Sequence, residues 1–270
     1  MTDTRPDPYD GFEKDVYTVN GLRTVVLTKG DGPPLVFLHG TGTFSGFDAA
    51  HVWAESHRVI MPFHPGFGLT DDAPSVTGIA DHVAHYEALF DQMNLDRFCL
   101  AGFSLGGWIA AEFASRHPGH LSRLVLLAPG GLVSEAAPAP DIFAIEPSDL
   151  PGYLAHDPSR ILHLFPSESD PEFDAALGRE VGGLAKVLKA HPQGNPDLRG
   201  ALPQITVPVL LIWGAEDRLR PTAQAQEWID GLDDAELGLV PETGHLVLEE
   251  TPDSAELVTA FLSRAESGEA

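Results

Sequence analysis

The sequence predicts an α/β fold, a mostly parallel central sheet with helices on both faces. Short apolar runs recur at Leu35 to Leu38, Arg58 to Met61, Phe98 to Ala101, Leu124 to Leu127, Val209 to Trp213 and Leu237 to Val240. Helical stretches lie between most of them, and alternating β and α units imply parallel strands covered on both faces. Val209 to Trp213 is wholly apolar, as expected of a strand buried on both sides. The length of 270 residues suits one α/β domain carrying an insertion and is ample for a large core.

Along the chain, Val16 to Val19 and Leu22 to Leu27 flank Asn20-Gly21, a type I′ hairpin signal that starts the sheet. Phe98 to Ala101 leads into Gly102-Phe103-Ser104-Leu105-Gly106 and then a helix-like stretch from Gly107 to His117. Its Trp108, Ile109, Ala110, Ala111, Phe113 and Ala114 are mostly apolar and small, which suits a helix buried against a sheet. A terminal helix is expected from Thr251-Pro252, with threonine as N-cap and proline in the first turn, burying Leu257, Val258, Phe261 and Leu262. The pattern breaks between Pro129 and Gln204, where Pro and Gly recur and no strand is evident. One long helix-like run there places Phe173, Leu177, Val181, Leu184 and Leu188 on one face.

The formal charge of −24 comes from 40 acidic against 16 basic residues. Such a field repels nucleic acid and anionic membranes, so the expected partner is a small-molecule substrate, with assembly into a homo-oligomer left open. Met1 to Tyr9 is polar and rich in Pro and Asp, and no run is long enough to span a bilayer. A cytoplasmic protein is expected. The single Cys99 falls in the strand before Ser104 and reads as a small core residue.

A serine at the tip of a sharp strand-to-helix turn is held in a strained conformation, so the positions two before and two after it must be small. Gly102 and Gly106 satisfy that. The turn lifts the Ser104 hydroxyl out of the fold and aims the first free N–H groups of the helix at the same spot. A lone serine is a poor nucleophile and needs a base with an orienting acid. The strand Val209 to Trp213 runs into Gly214-Ala215-Glu216-Asp217, and Pro241-Glu242-Thr243-Gly244-His245 follows a shorter strand. Both acid and histidine then fall at the sheet edge that carries Ser104.

In this serine, acid, histidine order the sequence resembles the α/β-hydrolase superfamily. Leu35-Val36-Phe37-Leu38-His39-Gly40-Thr41-Gly42 is similar to the family's strand and His-Gly oxyanion loop, and Pro65-Gly66-Phe67-Gly68 to its next loop, although Phe63 stands where an acid is usual. The resemblance implies Ser104 as nucleophile, His245 as base, Asp217 as orienting acid, and the N–H groups of Thr41 and Leu105 as the oxyanion hole. It implies a core of residues 1–129 and 204–270 and a helical cap of residues 130–203 over the serine. Phe103, Trp108, Phe143 and Leu246 are the expected substrate-binding residues. Phe143, Ile145, Leu150, Tyr153, Ile161, Leu162 and Phe165 make the cap apolar enough to line a pocket, although most of them also suit simple attachment to the core. Neither metal nor organic cofactor is implied.

Other groups compete for these roles. His39 reads as a brace of the oxyanion loop, and Glu216 as a solvated neighbour of Asp217. Asp81, His82 and His85 have a helical spacing that could hold a metal, but a solvated helix face is the simpler reading.

The resemblance implies two-step acyl transfer at Ser104. The leading expectation is a serine esterase acting on a small or medium apolar carboxylic ester. A carbon–carbon bond hydrolase of ring-fission products is the alternative, also suggested by Pro129-Gly130-Gly131. Such enzymes place a cap arginine on an anionic substrate, for which Arg160, Arg179 and Arg199 are the candidates here, and an aromatic after the histidine, where this chain has Leu246. A hydrolase-fold ligand receptor with little turnover is a third reading. Dehalogenase or epoxide hydrolase chemistry is disfavoured, because those relatives carry aspartate in place of Ser104.

Overall fold

Asn20 and Gly21 both take positive φ, 50° and 86°, the conformation of a type I′ turn. They join β1 (Glu13–Val19) to β2 (Leu22–Lys29) as an antiparallel pair. The computed structural model describes residues 9–43 and 45–264; apart from Tyr9, the polar Met1 to Tyr9 stretch lies outside them.

The remaining strands are β3 (Pro34–Leu38), β4 (Arg58–Pro62), β5 (Phe98–Phe103), β6 (Leu121–Leu127), β7 (Val209–Gly214) and β8 (Ala235–Val240). They form one sheet in the order β1-β2-β4-β3-β5-β6-β7-β8. β2 meets β4 antiparallel, and every pairing from β4 to β8 is parallel. All residues of β5 and β7 are buried, because helices cover both faces of the central strands. At the edge, β8 leaves Leu237 and Leu239 exposed.

The crossovers supply α1 (Phe47–Trp53), α2 (Ile79–Gln92) and α3 (Leu105–Arg116). Between β6 and β7 come the single turn α4 (Pro151–Leu154), the long α5 (Pro171–Ala190) and the single turn α6 (Leu198–Ala201). α7 (Ala223–Gly231) joins β7 to β8, and α8 (Val247–Glu250) and α9 (Ser254–Leu262) follow β8. α1 packs against α9, and α2 against α3. Cys99 is buried in β5 beside the Ser122 hydroxyl, 3.2 Å away. Among the described residues no helix is long and apolar enough to cross a membrane.

Three helical expectations need correction. α9 begins at Ser254 rather than at Thr251-Pro252, because those two residues form the preceding turn, accepting from the N–H groups of Ser254 and Ala255, while the Thr251 hydroxyl bonds that of Thr243 at 2.6 Å. Leu257 is accordingly turned out, 42% exposed.

On α5 the inward face is Leu177, Glu180, Leu184 and Val187, with Val181 exposed. A helical stripe steps by three and four, and the glutamate within it masked the true face.

His82 and His85 are buried rather than solvated. They lie on the inward face of α2 with Ile79, Val83, Tyr86 and Phe90. The His85 Nε2 meets the Thr24 hydroxyl at 3.2 Å, and the His82 ring lies 5.7 Å from that of His64. Asp81 instead closes the start of α2, accepting from the N–H groups of Thr77 and Gly78.

Candidate active site

The loops after β3, β5, β7 and β8 all leave the carboxyl edge of the parallel sheet, where open α/β sheets bind ligands. At the end of β5 the chain turns so sharply that Ser104 takes φ 52° and ψ −109°, a strained region for a residue with a side chain. Its N–H donates to the Leu127 carbonyl at 3.0 Å, and its carbonyl accepts from the N–H of Trp108 (3.0 Å) and Gly130 (2.9 Å). A side chain at Gly102 would strike the Gly106 carbonyl, and one at Gly106 the Leu38 and His39 carbonyls. The two glycines therefore permit the close approach of strand, turn and the loop after β3.

β7 delivers Asp217, whose Oδ1 accepts from the N–H groups of Leu219 (2.9 Å) and Arg220 (2.7 Å). That leaves Oδ2 for the His245 Nδ1, 2.9 Å away. A buried carboxylate facing Nδ1 makes that nitrogen the donor and leaves Nε2 an acceptor. Nε2 lies 3.0 Å from the Ser104 hydroxyl. Asp217 and His245 are both buried, so the pair is shielded from competing water. Glu216 is exposed, and its N–H donates to the Thr243 carbonyl at 2.9 Å.

The loop after β3 is braced from beneath. His39 Nδ1–H donates to the Gly40 carbonyl at 2.6 Å, and Nε2 accepts from the His64 N–H at 3.1 Å. Burial pushes the His39 pKa down to about 4, which keeps the ring neutral, as these roles require. His64 donates back to the His39 carbonyl (2.8 Å) and accepts from the Tyr86 hydroxyl (2.5 Å). Leu105 opens α3, so its N–H is among those that a helix leaves without an internal partner.

The four loops and the segment between β6 and β7 enclose a cavity of about 420 Å³. Ser104 and His245 open onto it, as do Thr41, Leu105, Phe103, Trp108, Phe143 and Leu246. Asp217 lies behind His245. Of the apolar residues expected to line the cap, Phe143 does so, whereas Ile161 is buried elsewhere and Leu162 is exposed. Ile142, Leu154, Leu184 and Leu188 supply the rest of that wall. Arg160, Arg179 and Arg199 lie outside the cavity: Arg160 pairs with Asp157, Arg179 with Asp72 and the Gly68 carbonyl, and Arg199 with Glu227.

Sequence reasoning missed three buried glutamates that tie this surface together. Glu180 of α5 accepts from the Thr43 N–H (3.1 Å) and hydroxyl (2.5 Å) and from the Gly68 N–H (3.0 Å). Glu250 accepts from the N–H groups of Gly244 (2.6 Å), His156 (2.9 Å) and Asp157 (2.6 Å). Glu112 holds the Trp108 indole (3.1 Å), the Asn195 amide (2.7 Å) and Arg116 (2.5 Å). Their sequence signal is faint, an acid at an inward helical position. Among the described residues no group of three or more His, Cys, Asp or Glu could hold a metal ion.

A 2-hydroxy-6-oxononadienedioate/2-hydroxy-6-oxononatrienedioate hydrolase of Klebsiella pneumoniae is 28% identical over 264 residues, covering 91% of this chain and 89% of its own. A 2-hydroxy-6-oxo-2,4-heptadienoate hydrolase of Pseudomonas putida is 27% identical, covering 90% and 94%. Among solved structures, a membrane phospholipase A described as a bacterial virulence factor shares the fold with a TM-score of 0.80, at 24% identity over 94% of this chain and 86% of its own. The sequence profile of the Alpha/beta hydrolase family matches residues 35–256. With its mostly parallel eight-stranded sheet and helices on both faces, the chain belongs to the alpha/beta hydrolase family.

Proposed function

We propose that the protein is a serine hydrolase that cleaves a carbon–carbon bond beside a ketone, in substrates of the 2-hydroxy-6-oxo-dienoate kind, with residues 130–203 acting as a helical cap. The carrying observation is the continuous relay from Asp217 through His245 to Ser104 at the edge of the cavity. His245 Nε2 takes the hydroxyl proton as Ser104 Oγ bonds to the carbonyl carbon, and the N–H groups of Thr41 and Leu105 hold the resulting oxyanion. The bond to the departing carbon then breaks, and His245 returns its proton to that fragment, leaving an acyl-serine. Water, deprotonated by the same histidine, releases the acid and restores Ser104. The names of the relatives at 27 and 28% identity support the carbon–carbon bond over an ester.

Hydrolysis of a small or medium apolar carboxylic ester by the same relay is the second reading. The aliphatic Leu246 directly after His245 and the apolar lining from Phe103, Trp108 and Leu184 favour it. One preparation assayed against a ring-fission dienoate and 4-nitrophenyl esters of rising acyl length decides between them. Faster cleavage of every ester than of the dienoate would reject the carbon–carbon reading. Ser104→Ala should abolish both activities, by roughly 10⁴ to 10⁶ in rate.

A further inference from the structure

Arg220 stands three residues beyond Asp217, and its main chain is fixed. The N–H donates to the Asp217 carboxylate (2.7 Å) and the carbonyl accepts from the Trp213 indole (2.9 Å). The side chain lines the cavity, whose wall it shares with Ser104 and His245. A methyl group added at Gly130 would lie 3.1 Å from Arg220 Nη2 and 3.6 Å from the Ser104 carbonyl oxygen, so the guanidinium sits beside the nucleophile's turn. Its Nε is buried and among the described residues has no hydrogen-bond partner.

Arg116, Arg160, Arg179, Arg199 and Arg264 each meet a carboxylate at 4 Å or less, and none of these five lines the cavity. Asp217 faces Arg220 only as a charge, since its oxygens are taken by His245 and two N–H groups. A guanidinium stays ionised and carries a planar fork of donors that matches a carboxylate. Burial opposes its charge, and an anion arriving in the cavity would relieve that. A chain of net charge −24 repels anions at long range, so their admission requires such a local cation. Lys189 adds a second positive group to the cavity lining.

We propose that Arg220 is the carboxylate-recognising residue of this cavity, receiving from the core side a carboxylate that the substrate carries a few bonds from the carbonyl attacked by Ser104. The inference rests on Ser104 as nucleophile. The competing role for Arg220, balancing the charge of Asp217, would alter reactivity toward neutral and anionic ligands alike.

The test measures how fast a neutral fluorophosphonate labels the intact protein in the presence of graded pentanoate or pentan-1-ol. Pentanoate should protect more strongly than pentan-1-ol, by roughly tenfold to hundredfold in half-protecting concentration. Arg220→Gln and Arg220→Met should erase the difference, Arg220→Lys should keep part of it, and Arg160→Gln, outside the cavity, should keep all of it. Equal protection by the two compounds in the wild type overturns the inference without any variant, as does a preference that survives Arg220→Gln. Equal slowing of labelling in the Arg220 variants, with the pentanoate preference intact, would assign Arg220 to Asp217 alone. If the wild type is not labelled, or Ser104→Ala is labelled equally, the hydrolase reading itself fails.

Discussion

Glu180 holds Thr43 by both its N–H and its hydroxyl, at 3.1 and 2.5 Å, and so joins the helix over the cavity to the loop proposed to bind the oxyanion. The same carboxylate takes the Gly68 N–H, which makes one buried side chain the meeting point of three segments.

Glu180→Ala removes the acceptor from two N–H groups and a hydroxyl at once. A displacement of the Thr41 loop of about 1 Å would cost on the order of 100-fold in kcat, with KM less affected. Stability should fall by about 2 to 4 kcal/mol, as for other buried donors stripped of partners. Glu180→Gln keeps one acceptor oxygen and should fall between. Steady-state kinetics together with urea unfolding checks this; an unchanged kcat would mean that Thr43 does not govern the loop.

Asp217 and Glu216 are adjacent in sequence and opposite in environment. Asp217→Asn presents Nδ1 with an amide that can donate, so the imidazole turns to the wrong tautomer and the rate should drop by roughly 10⁴. Glu216→Gln changes an exposed side chain and should leave the rate within a factor of two or so, since surface changes of this kind are nearly neutral. Reversed effects in a kinetic comparison would reject the assignment.

The parts of the site legible in the sequence share a physical reason. Gly102 and Gly106 show themselves because backbone lies where a side chain would be, and the strands because parallel strands under two helical layers must be continuously apolar. What stayed hidden was polar and buried. His82 and His85 look like a solvated face by composition, and only their register with Ile79, Val83, Tyr86 and Phe90 places them inside. Glu180 and Glu250 acquire their roles from backbone N–H groups distant in sequence, which no local pattern encodes. Arg220 carries no such signal either, because the resemblance points to arginines between β6 and β7, whereas the loop after β7 brings this guanidinium to the cavity from the core side.

Glycines divide by what surrounds them. Gly106→Ala would drive a methyl into the Leu38 and His39 carbonyls, and backbone oxygens cannot yield as side chains do; a loss of at least about 3 kcal/mol is expected. Gly178 of α5 is exposed, with nothing near its missing Cβ. Gly178→Ala should therefore stabilise the protein by up to about 1 kcal/mol, by restricting the unfolded chain and raising helix propensity. Thermal midpoints of the two variants should move in opposite directions. A shift in the same direction would contradict the packing described.

Acid should weaken the fold through the buried histidines His39, His64, His82 and His85. Burial lowers the pKa of His39 and His85 to about 4 and of His82 to about 3, and holds His64 well below its ordinary value. The folded protein keeps these rings neutral, while the unfolded chain protonates them near pH 6.5. Below that pH the unfolded state binds more protons, so their stabilising contribution is complete above about pH 6.5 and is lost as pH falls toward about 4 to 3. Glu249, whose pKa is raised by desolvation, works in the opposite sense. The four histidines together set an upper limit of about 5 kcal/mol per pH unit on the slope, which Glu249 reduces, and urea midpoints between pH 7.5 and 5 should reveal its onset. His82→Leu isolates one member: its Nδ1 is buried without a hydrogen-bond partner among the described residues, so the apolar replacement should hold or raise stability at pH 7 and make the acid slope shallower by about one proton. A slope that His82→Leu leaves unchanged would mean that this ring takes up its proton without unfolding.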